Sequence, residues 1–177
     1  MEFTPSGIAD VWILELERYR DNRGWFARTW CQEEFRRQGL QDQFDQCSTS
    51  FNSRRGTIRG LHFQVTPYQE TKLVRCTRGA LFDVALDVRP TSPTFKRWVG
   101  VELTPDNGRQ LYLGPGVAHG FQTLADNTEV FYQITTPWRP DAARGVRWND
   151  PAFGIHWPLA DQVLLSERDA RYPDFRG

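Results

Sequence analysis

The stretch ALFDVALDV, at residues 80–88, decides the fold class of this chain. Its side chains alternate between two faces, which is the period-two pattern of a β-strand. One face is apolar and consists of Phe82, Val84, Leu86 and Val88. The other face mixes apolar and acidic side chains, namely Leu81, Asp83, Ala85 and Asp87. We predict a strand with one packed face and one partly polar face.

Comparable alternation recurs along the chain and predicts an all-β protein. The other predicted strands are VWILEL (11–16), TIRGLHFQ (57–64), TKLVRC (71–76), RWVGVEL (97–103), RQLYL (109–113) and EVFYQIT (129–135). TPDNG separates RWVGVEL from RQLYL, and its Asn107-Gly108 pair is typical of a tight hairpin. Residues 77–79 are expected to turn the chain into the 80–88 strand.

Helix signals are confined to two short segments. They are CQEEFRRQ (31–38), which Gly39 ends, and LSERDARY (165–172). With about seven to nine short strands and no linker or repeat, we predict one domain with a sandwich or jelly-roll fold. Its first third is aromatic and less regular, so we expect that part to pair across a subunit boundary.

Composition and charge exclude several classes of protein. The chain of 177 residues has 22 basic and 22 acidic side chains, which argues against a nucleic-acid-binding protein. No apolar run approaches the roughly 18–20 residues of a membrane-spanning helix, and the first residues lack the pattern of a secretory signal. Three isolated cysteines, Cys31, Cys47 and Cys76, are expected to stay reduced. We therefore expect a cytoplasmic protein.

Three polar side chains lie on strand faces that should be apolar. His62 belongs to TIRGLHFQ, Lys72 to TKLVRC and Tyr132 to EVFYQIT. If these faces line the interior of a barrel, the three side chains meet in one pocket. A lysine in such a pocket is costly unless a partner or a substrate oxygen compensates its charge. The alternative is a structural histidine, a core tyrosine and a lysine that faces water.

A second histidine, His119, lies in LGPGVAHGF (113–121). This segment resembles the second motif of metal-binding cupins, but Gln64 stands where their first motif needs another histidine. A metal-dependent site stays open as an alternative, with ligands His62, His119 and Glu70. No Rossmann, P-loop or hydrolase-elbow motif occurs.

Two arginines are candidates for binding phosphate oxygens. Arg23 is followed by Gly24, which leaves its guanidinium free to reach a ligand. Arg59 lies three positions before His62, so a regular strand would direct the two side chains to opposite faces. Gly60 between them permits a β-bulge that can direct Arg59 to the His62 face.

Six motifs together resemble one known family. RGLHFQ (59–64), KLVRC (72–76), FDVALDVRPTSPTF (82–95), PGVAHGF (115–121), RWNDP (147–151) and LSERD (165–169) occur in the order found in dTDP-4-dehydrorhamnose 3,5-epimerases. The resemblance covers residues 5–173, and the combination of RGLHxQ, SPTF and AHGF is specific.

The resemblance implies a fold, an assembly and a substrate class. The fold is a cupin-like jelly-roll β-barrel with short flanking helices, formed by a single domain over residues 1–177. The assembly is a homodimer that exchanges about 45 N-terminal residues between subunits. The substrate is a nucleoside-diphosphate 4-keto-6-deoxyhexose of a pathway such as dTDP-rhamnose synthesis. Neither a metal nor an organic cofactor is implied.

The resemblance also implies roles for single residues. His62 matches the base that abstracts a proton, Tyr132 the proton donor on the opposite sugar face, and Lys72 the residue facing the C4 oxygen. Asp169 matches the carboxylate that orients His62. Residues that match substrate contacts are Arg23, Phe26, Thr49, Arg59, Lys72, His119, Trp138 and Arg168.

These roles agree with the chemistry of a 4-keto sugar. The ketone acidifies the hydrogens at C3 and C5, because the carbanion delocalises into an enolate. Imidazole, with a pKa of about 6.5 in free solution, is a suitable base for such a step. An ammonium group can stabilise the enolate oxygen without a metal.

The chain departs from the family pattern at positions outside the acid–base residues. Cys47 and Thr49 replace a glutamine and an asparagine, Arg28 and Ala143 replace glutamates, Trp138 replaces a tyrosine and Arg168 a frequent lysine. Tryptophan can stack on a sugar or a base but cannot transfer a proton. Trp138 therefore leaves open an epimerase that inverts only C3 or C5. Two alternatives of other classes are a metal-dependent cupin enzyme and a non-catalytic carbohydrate-binding jelly roll.

Overall fold

A computed structural model describes residues 1–176 of the chain and confirms the all-β class. The described residues form thirteen strands and two short helices. In chain order they are β1 (Glu2–Pro5), β2 (Val11–Glu15), β3 (Arg18–Asp21), β4 (Gly24–Ala27), α1 (Gln32–Arg37), β5 (Gln46–Asn52), β6 (Ile58–Gln64), β7 (Lys72–Arg78), β8 (Leu81–Asp87), β9 (Trp98–Leu103), β10 (Gln110–Leu113), β11 (Val117–Thr123), β12 (Thr128–Ile134), β13 (Ala143–Gly145) and α2 (Glu167–Ala170).

Two antiparallel sheets face each other and form a jelly-roll barrel. One sheet has six strands in the order β1-β2-β10-β7-β12-β5, and the other has five in the order β13-β6-β11-β8-β9. Between them lies an apolar core of residues from both sheets, which include Val74, Leu111 and Val130 on one side and Leu81, Val101 and Phe121 on the other.

The structure has more strands than the predicted seven to nine. Most of the additional strands lack apolar alternation. Strand β5, for example, reads QCSTSFN and is mostly exposed, yet it pairs with β12 along its whole length. Such a strand is held by backbone hydrogen bonds to its neighbour, and neither of its faces is buried as a whole. Its side chains therefore do not alternate between apolar and polar.

Strand β8 has the predicted alternation, but both of its faces are buried. Leu81 and Ala85 face the core between the sheets. Val84 and Leu86 pack instead under the C-terminal segment, with Trp157 among their neighbours. The expectation of a single packed face was therefore wrong, because a second apolar layer covers the outside of the five-stranded sheet.

The predicted hairpin at TPDNG was also wrong. Asn107 and Gly108 do make a tight turn, in which Asn107 Oδ1 accepts hydrogen bonds from the backbone N–H groups of Thr104 and Arg109. The strands on either side nevertheless belong to different sheets, β9 to the five-stranded one and β10 to the six-stranded one. The turn therefore crosses between the sheets, and local turn chemistry cannot distinguish the two outcomes.

The N-terminal region divides into two parts. Strands β1 and β2 pair with each other and with β10 in the chain's own six-stranded sheet. Strands β3 and β4 pair only with each other and carry exposed aromatic side chains. The predicted exchange of this region between subunits stays a prediction.

The two helices are short, as predicted, and one of them serves the site. Helix α1 covers the outside of the six-stranded sheet through the buried Phe35. Helix α2 begins after Ser166, whose hydroxyl accepts a hydrogen bond of 3.1 Å from the Asp169 N–H. No helix within residues 1–176 is both long enough and apolar enough to span a membrane.

Candidate active site

A cavity of about 750 Å³ opens between the two sheets. Its lining includes nine of the residues predicted for the site, namely Thr49, Arg59, His62, Lys72, His119, Tyr132, Trp138, Arg168 and Asp169. They come from both sheets and from the C-terminal segment around α2. The structure thus brings together side chains that lie up to 120 positions apart in the chain.

His62 and Asp169 form a hydrogen-bonded pair at the wall of this cavity. The His62 Nε2 atom lies 2.7 Å from Asp169 Oδ1, and the side chains are 39% and 5% exposed. Asp169 Oδ2 accepts a further hydrogen bond of 3.2 Å from the Gly60 N–H. Burial raises the pKa of the Asp169 carboxyl, but these hydrogen bonds and the charge of His62 outweigh it, so the pKa is lowered overall. The carboxylate is fixed and hidden, whereas the imidazole is accessible to a ligand.

The predicted bulge at Gly60 is present and places Arg59 on the His62 side. His119 pairs with His62 and Phe121 pairs with Arg59, so β6 has one more residue than β11 over this interval. Gly60 has a φ of 117°, and a Cβ atom there would lie 2.6 Å from Cα of Gly120. Only glycine fits this position. Both Arg59 and His62 therefore line the cavity.

Lys72 approaches the cavity from the opposite sheet and is held by an acidic partner. Its ammonium nitrogen lies 3.0 Å from Glu70 Oε1 and donates a hydrogen bond of 3.4 Å to the His62 carbonyl oxygen. The other carboxylate oxygen of Glu70 is buried without a hydrogen-bond partner in the described chain. The charge of Lys72 is thus compensated, and Glu70 keeps one unused acceptor at the cavity wall.

Tyr132 lies on the same sheet as Lys72 and packs against His119 of the other sheet. The rings of Tyr132 and His119 meet edge to face, with centroids 6.0 Å apart. Burial raises the pKa of the Tyr132 phenol, and the negative charge of Asp83 raises it further. Tyr132 is therefore kept protonated, as a proton donor must be at the start of its step.

A second histidine–aspartate pair lies deeper. His119 Nε2 is 2.7 Å from Asp83 Oδ1, and the side chains are 6% and 0% exposed. Asp83 Oδ2 is buried and has no hydrogen-bond partner within residues 1–176. The two residues belong to adjacent strands, β11 and β8, and of the two only His119 is among the residues that line the cavity within residues 1–176.

The rim of the cavity carries the more exposed predicted residues. The Arg59 Nε atom donates a hydrogen bond of 2.7 Å to Asn52 Oδ1, and its two terminal nitrogens make no hydrogen bond within residues 1–176. Trp138 is 61% exposed on the loop after β12. Gln64 holds this loop, because its side chain accepts from the Arg139 N–H at 2.6 Å. Thr49 and Arg168 complete the exposed rim.

Two predicted substrate contacts, Arg23 and Phe26, lie outside the cavity of their own chain. Both belong to the β3–β4 hairpin, where Phe26 is 74% exposed and Arg23 pairs with Asp21. Neither lines the cavity. Any role for them at this site requires a cavity of another copy of the chain.

The alternative set of metal ligands is not brought together as a cluster. His62 is bonded to Asp169, His119 to Asp83, and Glu70 to Lys72. Within residues 1–176 no three or more His, Cys, Asp or Glu side chains form a group that could hold a metal ion. These groups are arranged as separate pairs, which suits proton transfer and charge stabilisation.

Sequence reasoning did not identify Glu70 and Asp83 as the partners of Lys72 and His119. Glu70 lies two positions before Lys72, which is the same-face spacing of an extended chain and is the signal that could have indicated it. Asp83 lies on the partly polar face of the 80–88 strand. Its partner 36 positions away follows only from the pairing of β8 with β11.

Comparisons with known proteins match this chain to the family that the sequence motifs resemble. The family described as dTDP-4-dehydrorhamnose 3,5-epimerase matches residues 5–177. The dTDP-4-dehydrorhamnose 3,5-epimerase of Sinorhizobium fredii is 44% identical over 173 residues, which cover 98% of this chain and 89% of that protein.

Solved structures agree with this match. The epimerase of the same name from Elizabethkingia anophelis superposes with a TM-score of 0.95 at 33% identity, covering 99% of this chain and 96% of that one. The dTDP-6-deoxy-D-glucose-3,5-epimerase of Legionella pneumophila, solved in complex with dTDP-4-keto-L-rhamnose, has a TM-score of 0.89 at 34% identity, with 99% of each chain covered. The chain belongs to the dTDP-4-dehydrorhamnose 3,5-epimerase family.

Proposed function

We propose that this protein is an isomerase that inverts C3 and C5 of a dTDP-4-dehydro-6-deoxyhexose in dTDP-rhamnose synthesis. The observation that carries the proposal is that His62 and Tyr132 reach one cavity from opposite sheets. Inversion through an enolate requires a base on one face of the sugar and an acid on the other. Family membership and the ligand of the Legionella pneumophila relative support this substrate class.

His62 is the base of this mechanism. Its Nε2 atom is engaged by Asp169, so the proton from C3 or C5 goes to Nδ1, which makes no hydrogen bond within residues 1–176. Asp169 holds the ring in one orientation and stabilises the imidazolium that forms. The electron pair of the broken C–H bond moves into the ring ketone and leaves an enolate.

Lys72 stabilises that enolate. Its ammonium group is held by Glu70 at 3.0 Å before the substrate arrives, so little reorganisation is needed when charge develops on the C4 oxygen. One preorganised donor of this kind typically lowers the barrier by ~3–4 kcal/mol. The same ammonium serves both centres, because C3 and C5 flank the same carbonyl carbon.

Tyr132 completes each inversion by donating its phenolic proton to the carbon from the side opposite His62. Its raised pKa keeps the proton on the oxygen until the enolate carbon is ready to accept it. The proton then held by His62 returns to the phenolate through solvent. His62 has then lost its extra proton and Tyr132 has regained its own, so the same two groups can invert the second centre.

Deuterium uptake tests the proposal and its main rival. We expect a 4-keto-6-deoxyglucose nucleotide incubated with the protein in deuterium oxide to gain two deuterium atoms, measured by mass spectrometry. One deuterium atom would indicate an enzyme that inverts only C3 or C5. No deuterium, with binding intact, would indicate a carbohydrate-binding protein, and loss of uptake on chelation would indicate a metal-dependent enzyme.

The variant Tyr132→Phe tests the proposed role of Tyr132 as the acid. It keeps the ring that packs against His119 and removes only the hydroxyl group. We expect turnover to fall by about 10²- to 10⁴-fold, the usual contribution of one acid–base group, while binding of the nucleotide sugar is retained. Unchanged turnover would contradict the role of Tyr132.

The same proposal includes a homodimer in the cytoplasm. The β3–β4 hairpin projects with Tyr19, Trp25 and Phe26 exposed, which is a large aromatic surface for one hairpin. A partner chain would cover this surface, and Arg23 would then lie near the partner's cavity. The three unpaired cysteines suit a reducing compartment.

Mixed dimers test this assembly. His62→Ala and Arg23→Ala each remove a function, but mixing them restores activity if Arg23 serves the cavity of the other subunit. The restored heterodimer has one cavity with His62 from one chain and Arg23 from its partner. A monomer by light scattering, or no recovery after denaturation and joint refolding, would contradict the exchange.

A further inference from the structure

Tyr172, just after helix α2, packs against the imidazole of His62. The two ring centroids are 6.1 Å apart and the rings meet edge to face. Gly145 makes this packing possible. It is paired with His62 between β13 and β6, and a Cβ atom on it would lie 2.1 Å from Cζ of Tyr172. The Tyr172 ring therefore fills the space that a side chain at position 145 would take.

The hydroxyl group of Tyr172 has a separate partner. It accepts a hydrogen bond of 3.0 Å from Nε of Arg168, one helical turn earlier in the chain. The other nitrogens of Arg168 make no hydrogen bond with residues 1–176, and Arg168 lines the cavity. Because a guanidinium is planar, holding Nε also sets the direction of the two terminal nitrogens.

We propose that Tyr172 is a positioning residue with two functions. Its ring restrains His62, and its hydroxyl directs the fork of Arg168 toward the oxygens of the substrate's diphosphate. This inference rests on the proposed function, because the fork needs an anionic ligand. A lysine, the frequent residue at position 168 in the family pattern, has a single donor nitrogen, so Tyr172 could not hold one nitrogen and direct two others in this way.

The two functions of Tyr172 affect different steps of the reaction. Asp169 fixes one nitrogen of His62, but a single hydrogen bond still lets the ring swing about it. The edge of Tyr172 blocks that motion from one side, so its loss should slow proton abstraction. The hydroxyl acts only on Arg168, so its loss should weaken binding and leave the chemical step unchanged.

Tyr172→Phe isolates the hydroxyl group. We expect KM for the 4-keto nucleotide sugar and the Kd for dTDP, measured by calorimetry, to rise about three- to tenfold, the usual value of one hydrogen bond. The kcat should stay within about twofold of the wild type. A fall in kcat, or unchanged KM and Kd, would show that the hydroxyl does not act through Arg168.

Tyr172→Ala removes the ring as well. We expect the same rise in KM and, in addition, a fall in kcat of about tenfold, which Tyr172→Phe does not share. Recovery of kcat by the phenylalanine variant distinguishes restraint of His62 from a general loss of folding. Equal kcat for both variants would overturn the first function of Tyr172.

Gly145→Ala displaces the same ring without altering Tyr172. The backbone of Gly145 is not in the left-handed region, so alanine introduces no conformational strain there. We expect kcat to fall as in Tyr172→Ala. The kcat of the double variant Gly145→Ala/Tyr172→Ala should be no lower than that of Tyr172→Ala alone, because alanine at position 172 leaves room for the new methyl group at position 145. Additive losses would contradict the inference.

Two readouts do not depend on turnover and separate this inference from the proposed function. Affinity for dTDP reports on Arg168, and the His62 ring resonances in NMR report on the position of the imidazole. If the wild-type protein takes up no deuterium, the proposed function fails. The inference fails if Tyr172→Phe leaves the Kd for dTDP unchanged, or if Tyr172→Ala leaves the His62 resonances unmoved.

Discussion

The molecule contains two histidine–aspartate pairs with the same separation and very different surroundings. His62 and Asp169 are 2.7 Å apart, as are His119 and Asp83. The His62 side chain is 39% exposed to the cavity, and both oxygens of its aspartate have partners. The His119 side chain is 6% exposed, and one oxygen of its aspartate has no partner within residues 1–176.

This difference shows that burial, and not the pair itself, separates a chemical role from a structural one. An imidazole that can be reached by a ligand and is backed by a satisfied carboxylate can take up and release a proton. An imidazole beside a fully buried carboxylate mainly compensates a charge that cannot be solvated. The first pair should therefore dominate activity and the second should dominate stability.

The largest expected effect is on activity, and it is found by comparing the histidine-to-alanine substitution in both pairs. We expect His62→Ala to lower kcat by at least about 10³-fold and to abolish deuterium uptake, since the variant lacks the imidazole that takes up the substrate's proton. His119→Ala should lower kcat by about 10- to 100-fold, through the packing and position of Tyr132. Steady-state kinetics on both variants provides the measurement. Equal losses would remove the distinction between the two pairs.

A smaller effect, on stability, should have the opposite order. His119→Ala leaves the Asp83 carboxylate buried and uncompensated, which should lower the free energy of unfolding by about 3–5 kcal/mol. His62→Ala exposes Asp169 to cavity water and should cost at most about 1 kcal/mol. Urea unfolding measures both.

His119→Gln is the control for this comparison, because its amide can still donate to Asp83. It should recover part of the stability that His119→Ala loses. If His62→Ala proves the more destabilising of the two alanine variants, the assignment of roles from burial is wrong.

The smallest expected effect is the pH dependence that Asp169 contributes. Its pKa is lower in the folded protein than the ordinary value of 3.8, so it stabilises the fold above that value. This stabilisation is lost as the pH falls through the lowered folded value, where the carboxylate becomes protonated. The free energy of unfolding should therefore fall more steeply with acid in the wild type than in Asp169→Asn. Parallel acid profiles would contradict the shift.

The site itself was predictable where it depends on alternation along single strands. His62, Lys72 and Tyr132 each interrupt an apolar face, and all three do line one cavity. The bulge at Gly60 was only permitted by the sequence, and the strand pairing in the structure shows that it forms and brings Arg59 to the same side. The roles of these residues came from the family resemblance and are tested by the variants above.

Other features could not be predicted, because they depend on which strands become neighbours. The turn at Asn107 has hairpin chemistry but joins two sheets. Asp83, the partner of His119, is 36 residues away in the chain. The packing of the Tyr172 ring against His62 depends on the absence of a side chain at Gly145. Arg23 and Phe26, which match substrate contacts in the family resemblance, do not line the cavity of their own chain.

The amino-acid sequence by itself determined the strands with apolar alternation, which side chains share a strand face and the kind of chemistry available, because alternation and residue type are local properties. Only the tertiary structure decided which acid accompanies which base and how much water reaches each pair. Those properties depend on contacts between residues far apart in the chain. His62 and His119 have the same chemistry, and their different depths in the folded protein separate what they do.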